Sequence, residues 1–125
     1  MHRLAVVVLV TVFGAAGCVS VPTGESLREY TERVFRQQNR VTDELLWRLP
    51  EIEASNPELA DRLLDAEQEL LADCEPLNDL AIQYRDQGRA NFGSQMFGAK
   101  AASDCEASTR ELATLLDGSG SSVQR

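Results

Sequence analysis

The 125-residue chain has one histidine, His2, one lysine, Lys100, and one tryptophan, Trp47, and aromatic residues make up only 6% of it. A chain processed beyond His2 has no histidine, which excludes Ser–His–Asp and Cys–His catalysis and the usual histidine-bearing zinc sites. Clustered Lys and Arg are missing as well. Twelve basic side chains face twenty acidic ones, for a net charge of −8 and a pI near 4.6. A nucleic-acid partner needs a basic face against its phosphates, so none is expected. There is no strand-like alternation longer than a few residues and no internal repeat. The composition therefore points to one small helical domain, no enzyme, no metal and no cofactor.

What is present begins with an address. Arg3 precedes an apolar run from Leu4 to Phe13. That run is about half of the ~20 residues a permanent membrane-spanning helix needs, and it suits the apolar core of a secretory signal peptide. Ala15, Ala16 and Gly17 then lead directly into Cys18. The stretch resembles the lipobox of bacterial lipoproteins, with Ala15 in place of the usual leucine. The resemblance covers residues 1–19 and no more. It implies cleavage after Gly17, with 1–17 as signal peptide, and attachment of diacylglycerol and acyl chains such as palmitate to Cys18. In a Gram-negative host Val19, not being Asp, implies the periplasmic side of the outer membrane. The alternative is an ordinary signal peptide cut after Ala16 or Gly17, leaving Cys18 a plain thiol. Cysteine parity favours lipidation: with Cys18 taken by lipid, Cys74 and Cys105 remain as an even pair in an exported chain.

The mature chain, residues 18–125, carries a charge of −9, because residues 1–17 remove Arg3 and no acid. Residues 18–25 form a lipidated tether whose seven residues after Cys18 span at most ~23 Å. Ser26-Leu27-Arg28-Glu29 reads as a capping box. Leu27, Tyr30, Val34, Val41 and Leu45 then recur with helical period, with Gln37 as a polar member of the stripe. Pro50 is expected to stop this helix near Leu49. Asn56-Pro57-Glu58 reads as the next start, with Asn as cap and Pro in the first turn. Its stripe is Leu59, Leu63, Ala66 and Leu70, continuing through Leu77, Ala81 and Tyr84, with a kink or break at Pro76 and a stop at Gly88. A third helix is expected from about Asn91 to Leu116, capped by Gly118, with 117–125 as a disordered tail. Trp47, near the end of the first helix, is either a core residue, the commoner use, or part of a partner contact, and Tyr30 and Tyr84 are placed along the helix seams.

A straight helix from 77 to 116 would hold Cys74 and Cys105 over ~40 Å apart, against a limit near 7 Å between the Cα atoms of a disulfide. A reversal at Gly88–Ala90 brings together positions whose numbers sum to 178–180, and those of Cys74 and Cys105 sum to 179. The bond, rather than two unconnected buried thiols, is expected, with small residues Gly98, Ala101 and Ala102 letting the two helices approach. The fold predicted for residues 26–116 is thus all-α: a small antiparallel three-helix bundle, its second helix kinked at Pro76, stapled by a disulfide.

Asp61, Asp65 and Glu69 share a helix face with Glu58 and Arg62 close by. A hard cation would take such carboxylates, but a solvated acidic face is the commoner use and is the reading adopted. Residues 88–98 (GRANFGSQMFG) hold three glycines, Phe92, Met96 and Phe97 and one charge. Two readings stand. These side chains plug the end of the bundle, or they form an apolar loop that docks a partner. The function expected is a lipid-anchored adaptor or assembly factor with a protein partner in the envelope. A pilotin-like escort of a secretion component is a specific version, supported by architecture alone. An inhibitor or binder of a cationic partner through the acidic surface is the alternative.

Overall fold

The computed structural model describes residues 21–22, 24–88 and 92–120, with the backbone alone for 92–96 and 120. The expected signal peptide, Cys18 and residues 121–125 lie outside the described residues. The chain forms three helices, α1 (Leu27–Ser55), α2 (Pro57–Gln87) and α3 (Phe92–Gly120), and no strand among the described residues. Each local signal that opened or closed a helix operates as chemistry requires. The Ser26 hydroxyl accepts from the Glu29 N–H at 3.2 Å, while the Glu29 carboxylate accepts from the Ser26 N–H at 2.8 Å. That reciprocal pair satisfies two of the N–H groups a helix start leaves unpaired. The Asn56 side chain accepts from the Leu59 N–H at 3.1 Å, with Pro57 in the first turn of α2. Gly88 closes α2 at φ +68°, a left-handed conformation natural only to glycine, and its N–H donates to the Tyr84 carbonyl at 2.9 Å.

One expected stop gives way: Pro50 lies inside α1, which runs on to Ser55. At Pro76, where a kink or break is expected, α2 continues without ending. An interior proline costs a helix about 3 kcal/mol through a missing hydrogen bond and a ring clash. Both prolines are exposed, as are Leu46 and Ala72, whose carbonyls they leave unpaired, so water can serve those groups. Continuing past Pro50 buries Ile52. Continuing past Pro76 buries Leu77 and Leu80. Each such side chain contributes about 1.5–3 kcal/mol when fully buried, enough to offset the proline. A further correction concerns the C-terminus. Residues 117–120, expected as tail, are the last turn of α3, and Gly118 lies within the helix rather than capping it. The two glycines weaken that turn, but Leu116 and Ser119 are buried, and the Ser119 hydroxyl accepts from Arg48 of α1.

The core is a cluster of buried residues from all three helices, including Val34, Leu45, Leu63, Leu70, Leu112 and Leu116. The Cys74–Cys105 disulfide sits inside it, with Cα atoms 4.5 Å apart and both residues fully buried. The polar member of the α1 stripe is Gln38, not Gln37. Gln38 is 5% exposed and its carbonyl oxygen lies 3.7 Å from the Cys105 sulfur. The step from Val34 to Val41 is taken as four residues and then three, and the reverse order had been assumed. Gly98, Ala101 and Ala102 are all buried, as expected of a close approach. At Gly98 a Cβ would stand 2.9 Å from Leu80 Cδ2 and 3.9 Å from Leu27 Cδ2, so the three helices meet there.

Candidate functional site

Of the three residues singled out as a contact, Phe97 stands 74% exposed on α3. It does not plug the bundle, because its neighbour Gly98 takes the inward position against Leu80. Phe92 opens α3 and Met96 follows one turn later; their side chains lie outside what is described. Beside this region a groove of about 350 Å³ opens between α1 and α2, lined by Phe35, Leu77, Leu80, Ala81 and Tyr84. Its rim polar groups are committed to one another. Arg28 pairs with Glu32 at 3.0 Å, and the Thr31 hydroxyl donates to the Arg28 carbonyl at 2.9 Å. Chemically the groove can shelter an apolar group.

Next to it lies the most connected polar cluster described. Arg33 reaches back to Glu25, ahead of α1, at 3.0 Å and across to Glu106 of α3 at 3.0 Å. The Tyr30 hydroxyl donates to the second oxygen of Glu106 at 2.9 Å, and Arg33 lies 5.2 Å over the Tyr30 ring. Ahead of Glu25 the chain makes a tight turn, with the Glu25 N–H donating to the Pro22 carbonyl at 3.2 Å and Gly24 at φ +88°. Val21 packs against the core. The segment expected to be a lipidated tether is thus fastened to the bundle at Val21 and Glu25. The sequence reading missed this clamp; the signal was Glu25 eight residues ahead of Arg33, a spacing that no intrahelical rule covers.

Burial, reinforced by the Glu106 carboxylate, pushes the Tyr30 hydroxyl up to about 12 from its ordinary 10.0. Burial also pushes Glu106 up, but hydrogen bonds from Arg33 and Tyr30, with the charges of Arg33 and Arg110, outweigh it and hold the carboxyl below 4.5. Hydrogen bonds that Arg33 donates to the Glu25 and Glu106 carboxylates hold it still more firmly protonated. The signs differ. The folded state favours neutral Tyr30, so that contribution is full below pH ~10 and is lost as pH rises toward 12. It favours ionised Glu106, whose contribution is full above pH ~4.5 and is lost as pH falls. Tyr30→Phe is expected to lower stability by about 1.5 kcal/mol at neutral pH, the scale of a hydrogen bond to a charged partner. It should also flatten the alkaline limb. Urea midpoints measured across pH for both proteins check this, and parallel alkaline limbs would remove Tyr30 as their source.

The remaining expectations resolve individually. Trp47, read as core more readily than as a contact, is 86% exposed, and Leu46 beside it is 61% exposed. One and two residues past the buried Leu45, they point about 100° and 200° around the helix from the core stripe; periodicity alone would have placed them outside. Tyr30 is buried and Tyr84 half-buried at the seams. Asp61, Asp65 and Glu69 are exposed, and among the described residues no three His, Cys, Asp or Glu side chains converge as metal ligands would. Among the described residues no helix is long and apolar enough to cross a membrane. No protein-family model matches the chain, and no characterised protein or solved structure shows significant similarity to it.

Proposed function

We propose that this chain is a lipid-anchored, non-enzymatic adaptor or assembly factor of the cell envelope, held at the periplasmic face of the outer membrane in a Gram-negative host. The observation that carries the reading is how closely the folded body follows the proposed anchor. Val21 is already packed on the core, and Glu25 is tied through Arg33 to Glu106. Only Val19 and Ser20 separate Cys18 from that body. Lipidation of Cys18 therefore fixes a rigid bundle against its membrane, the arrangement an adaptor needs to present one surface repeatedly.

The bundle we envisage is antiparallel, α1 up, α2 down and α3 up, with α2 bent at Pro76. The pairings support this direction. Leu27, Leu80 and Gly98 meet at one level, Cys74 and Cys105 at the next, and Asp73 bonds Ser108 beyond them. Arg48 meets Ser119 near the far end, beside a groove that Ser55 and Asn56 also line. The candidate contact is Phe97, exposed on α3, with Phe92 and Met96 earlier in the same helix. A pilotin-like escort of a secretion component is one form this function can take.

The experiment is Cys18→Ser in the full chain followed by membrane fractionation. The wild-type protein should sediment with membranes and the variant should be released, because two or three acyl chains supply the stable attachment. Retention of the variant in the membrane fraction would refute the anchor.

A second reading has an observation of its own. Residues 33–80 and 101–120 hold sixteen acidic side chains against six basic ones. A cationic protein or ligand bound by that surface would dissociate steeply with salt, since exposed charges are screened within ~8–10 Å at physiological ionic strength. Docking through Phe97 would be nearly insensitive to salt.

A further inference from the structure

We infer that the surface around Phe97 faces the lipid bilayer that carries the anchor, so that its first partner is lipid and not protein. The inference rests on the anchoring of Cys18 and on the antiparallel reading proposed above, and it deepens them by naming what this end of the bundle touches. Leu27, Leu80 and Gly98 pack together, which brings the start of α1, the end of α2 and the start of α3 to one end of the molecule. The chain enters α1 at that same end, with Cys18 nine residues ahead of Leu27. From Val21 back to Cys18 the chain has three Cα steps, a reach of about 11 Å. A helix as long as α3 extends about 44 Å, so the end bearing Arg48 and Ser119 lies beyond that reach unless the bundle lies flat.

Charge opposes the flat arrangement. At the anchor end, the described residues 21–32, 81–88 and 92–100 carry three basic side chains (Arg28, Arg85, Lys100) and four acidic ones (Glu25, Glu29, Glu32, Asp86), close to neutral. The rest of the described chain carries the sixteen acids and six bases noted above. Anionic headgroups repel that body and tolerate the near-neutral end. The bundle is therefore expected to stand on the end where Phe97 is exposed. An aromatic side chain at the headgroup level is favoured because the ring leaves water without having to enter the hydrocarbon core. Trp47, about 30 Å farther along α1 at 1.5 Å per residue, stays clear of the lipid.

The test uses the purified full-length lipoprotein reconstituted in vesicles of phosphatidylethanolamine with a minority of phosphatidylglycerol, with and without brominated acyl chains that quench nearby indoles. The wild-type chain reports from Trp47, and a Trp47→Phe, Phe97→Trp double variant reports from position 97. Both sites are exposed, so both chains are expected to keep their helicity, which circular dichroism verifies. In the double variant the emission should shift to the blue and drop on bromination, while the wild-type emission should do neither. An indole at 97 that is not quenched overturns the inference, including the case of a blue shift without quenching, which would mean coverage by protein. Quenching at Trp47 equal to that at 97 overturns the upright orientation. The intact mass reports the anchor separately. An acylated chain with no quenching at 97 removes this inference alone, whereas a chain without acyl mass removes the anchor and this inference together.

Discussion

Replacing Cys74 and Cys105 together by alanine is expected to lower the unfolding free energy by about 3–4 kcal/mol, measured by urea unfolding with a lower midpoint and a somewhat steeper slope, because the unfolded chain loses its cross-link and expands. The bond joins residues 31 apart in sequence, and closing a loop of that size removes conformational freedom chiefly from the unfolded chain. For a domain of this length total stability is commonly 5–15 kcal/mol, so the loss is a large share. Position adds to it. Both residues are fully buried, between Gln38 of α1 and the hydroxyl of Thr109, which donates to the Cys105 carbonyl at 2.7 Å. A reductant therefore has no route to the sulfurs of the folded protein. In the wild type, thiol release should follow global unfolding and rise with urea, and in native buffer it should be slow. The alanine variant should be indifferent to reductant. Rapid reduction of the native protein, or coincident midpoints for the two proteins, would mean that the bond does not staple the core.

Sequence made local chemistry visible and left tertiary choices hidden. The capping box at Ser26–Glu29, the Asn56-Pro57 start and the left-handed glycine at 88 each involve residues within four positions of one another, and each forms as expected. The cysteine pairing was legible for a different reason. The arithmetic of a helical hairpin leaves few partners for Cys74, and Cys105 has the matching register. Pro50 and the turn at 117–120 were misjudged because their outcomes depend on other helices. Pro50 is overruled by the burial of Ile52, and the last turn of α3 is held by Arg48, some seventy residues away in sequence. The Glu25–Arg33–Glu106 clamp was illegible for the same reason, since its third member comes from α3. The candidate contact was legible as composition, in an apolar stretch with little charge. Which of its side chains faces outward required Gly98 to be seen against Leu80.

At Trp47 helical periodicity decides against the core, and a pair of substitutions two residues apart turns that contrast into a measurement. Leu45 is 0% exposed and Trp47 is 86% exposed on the same helix. Leu45→Ala removes buried carbon atoms, and the disulfide-fastened helices around it can collapse only in part onto the space. The expected cost is about 2–5 kcal/mol, the transfer free energy plus the residual cavity, which lowers the Tm by more than about 10 °C in a domain this small. Trp47→Ala removes the larger side chain but gives up little packing, and alanine is the better helix former, so the change should stay within about 0.5 kcal/mol. Thermal unfolding of the two variants side by side decides it. A large loss at Trp47 would show that its indole is covered in solution. If that loss grew smaller on dilution, the cover would be a second copy of the chain, and the exposed pair Leu46–Trp47 would be the place where two bundles meet.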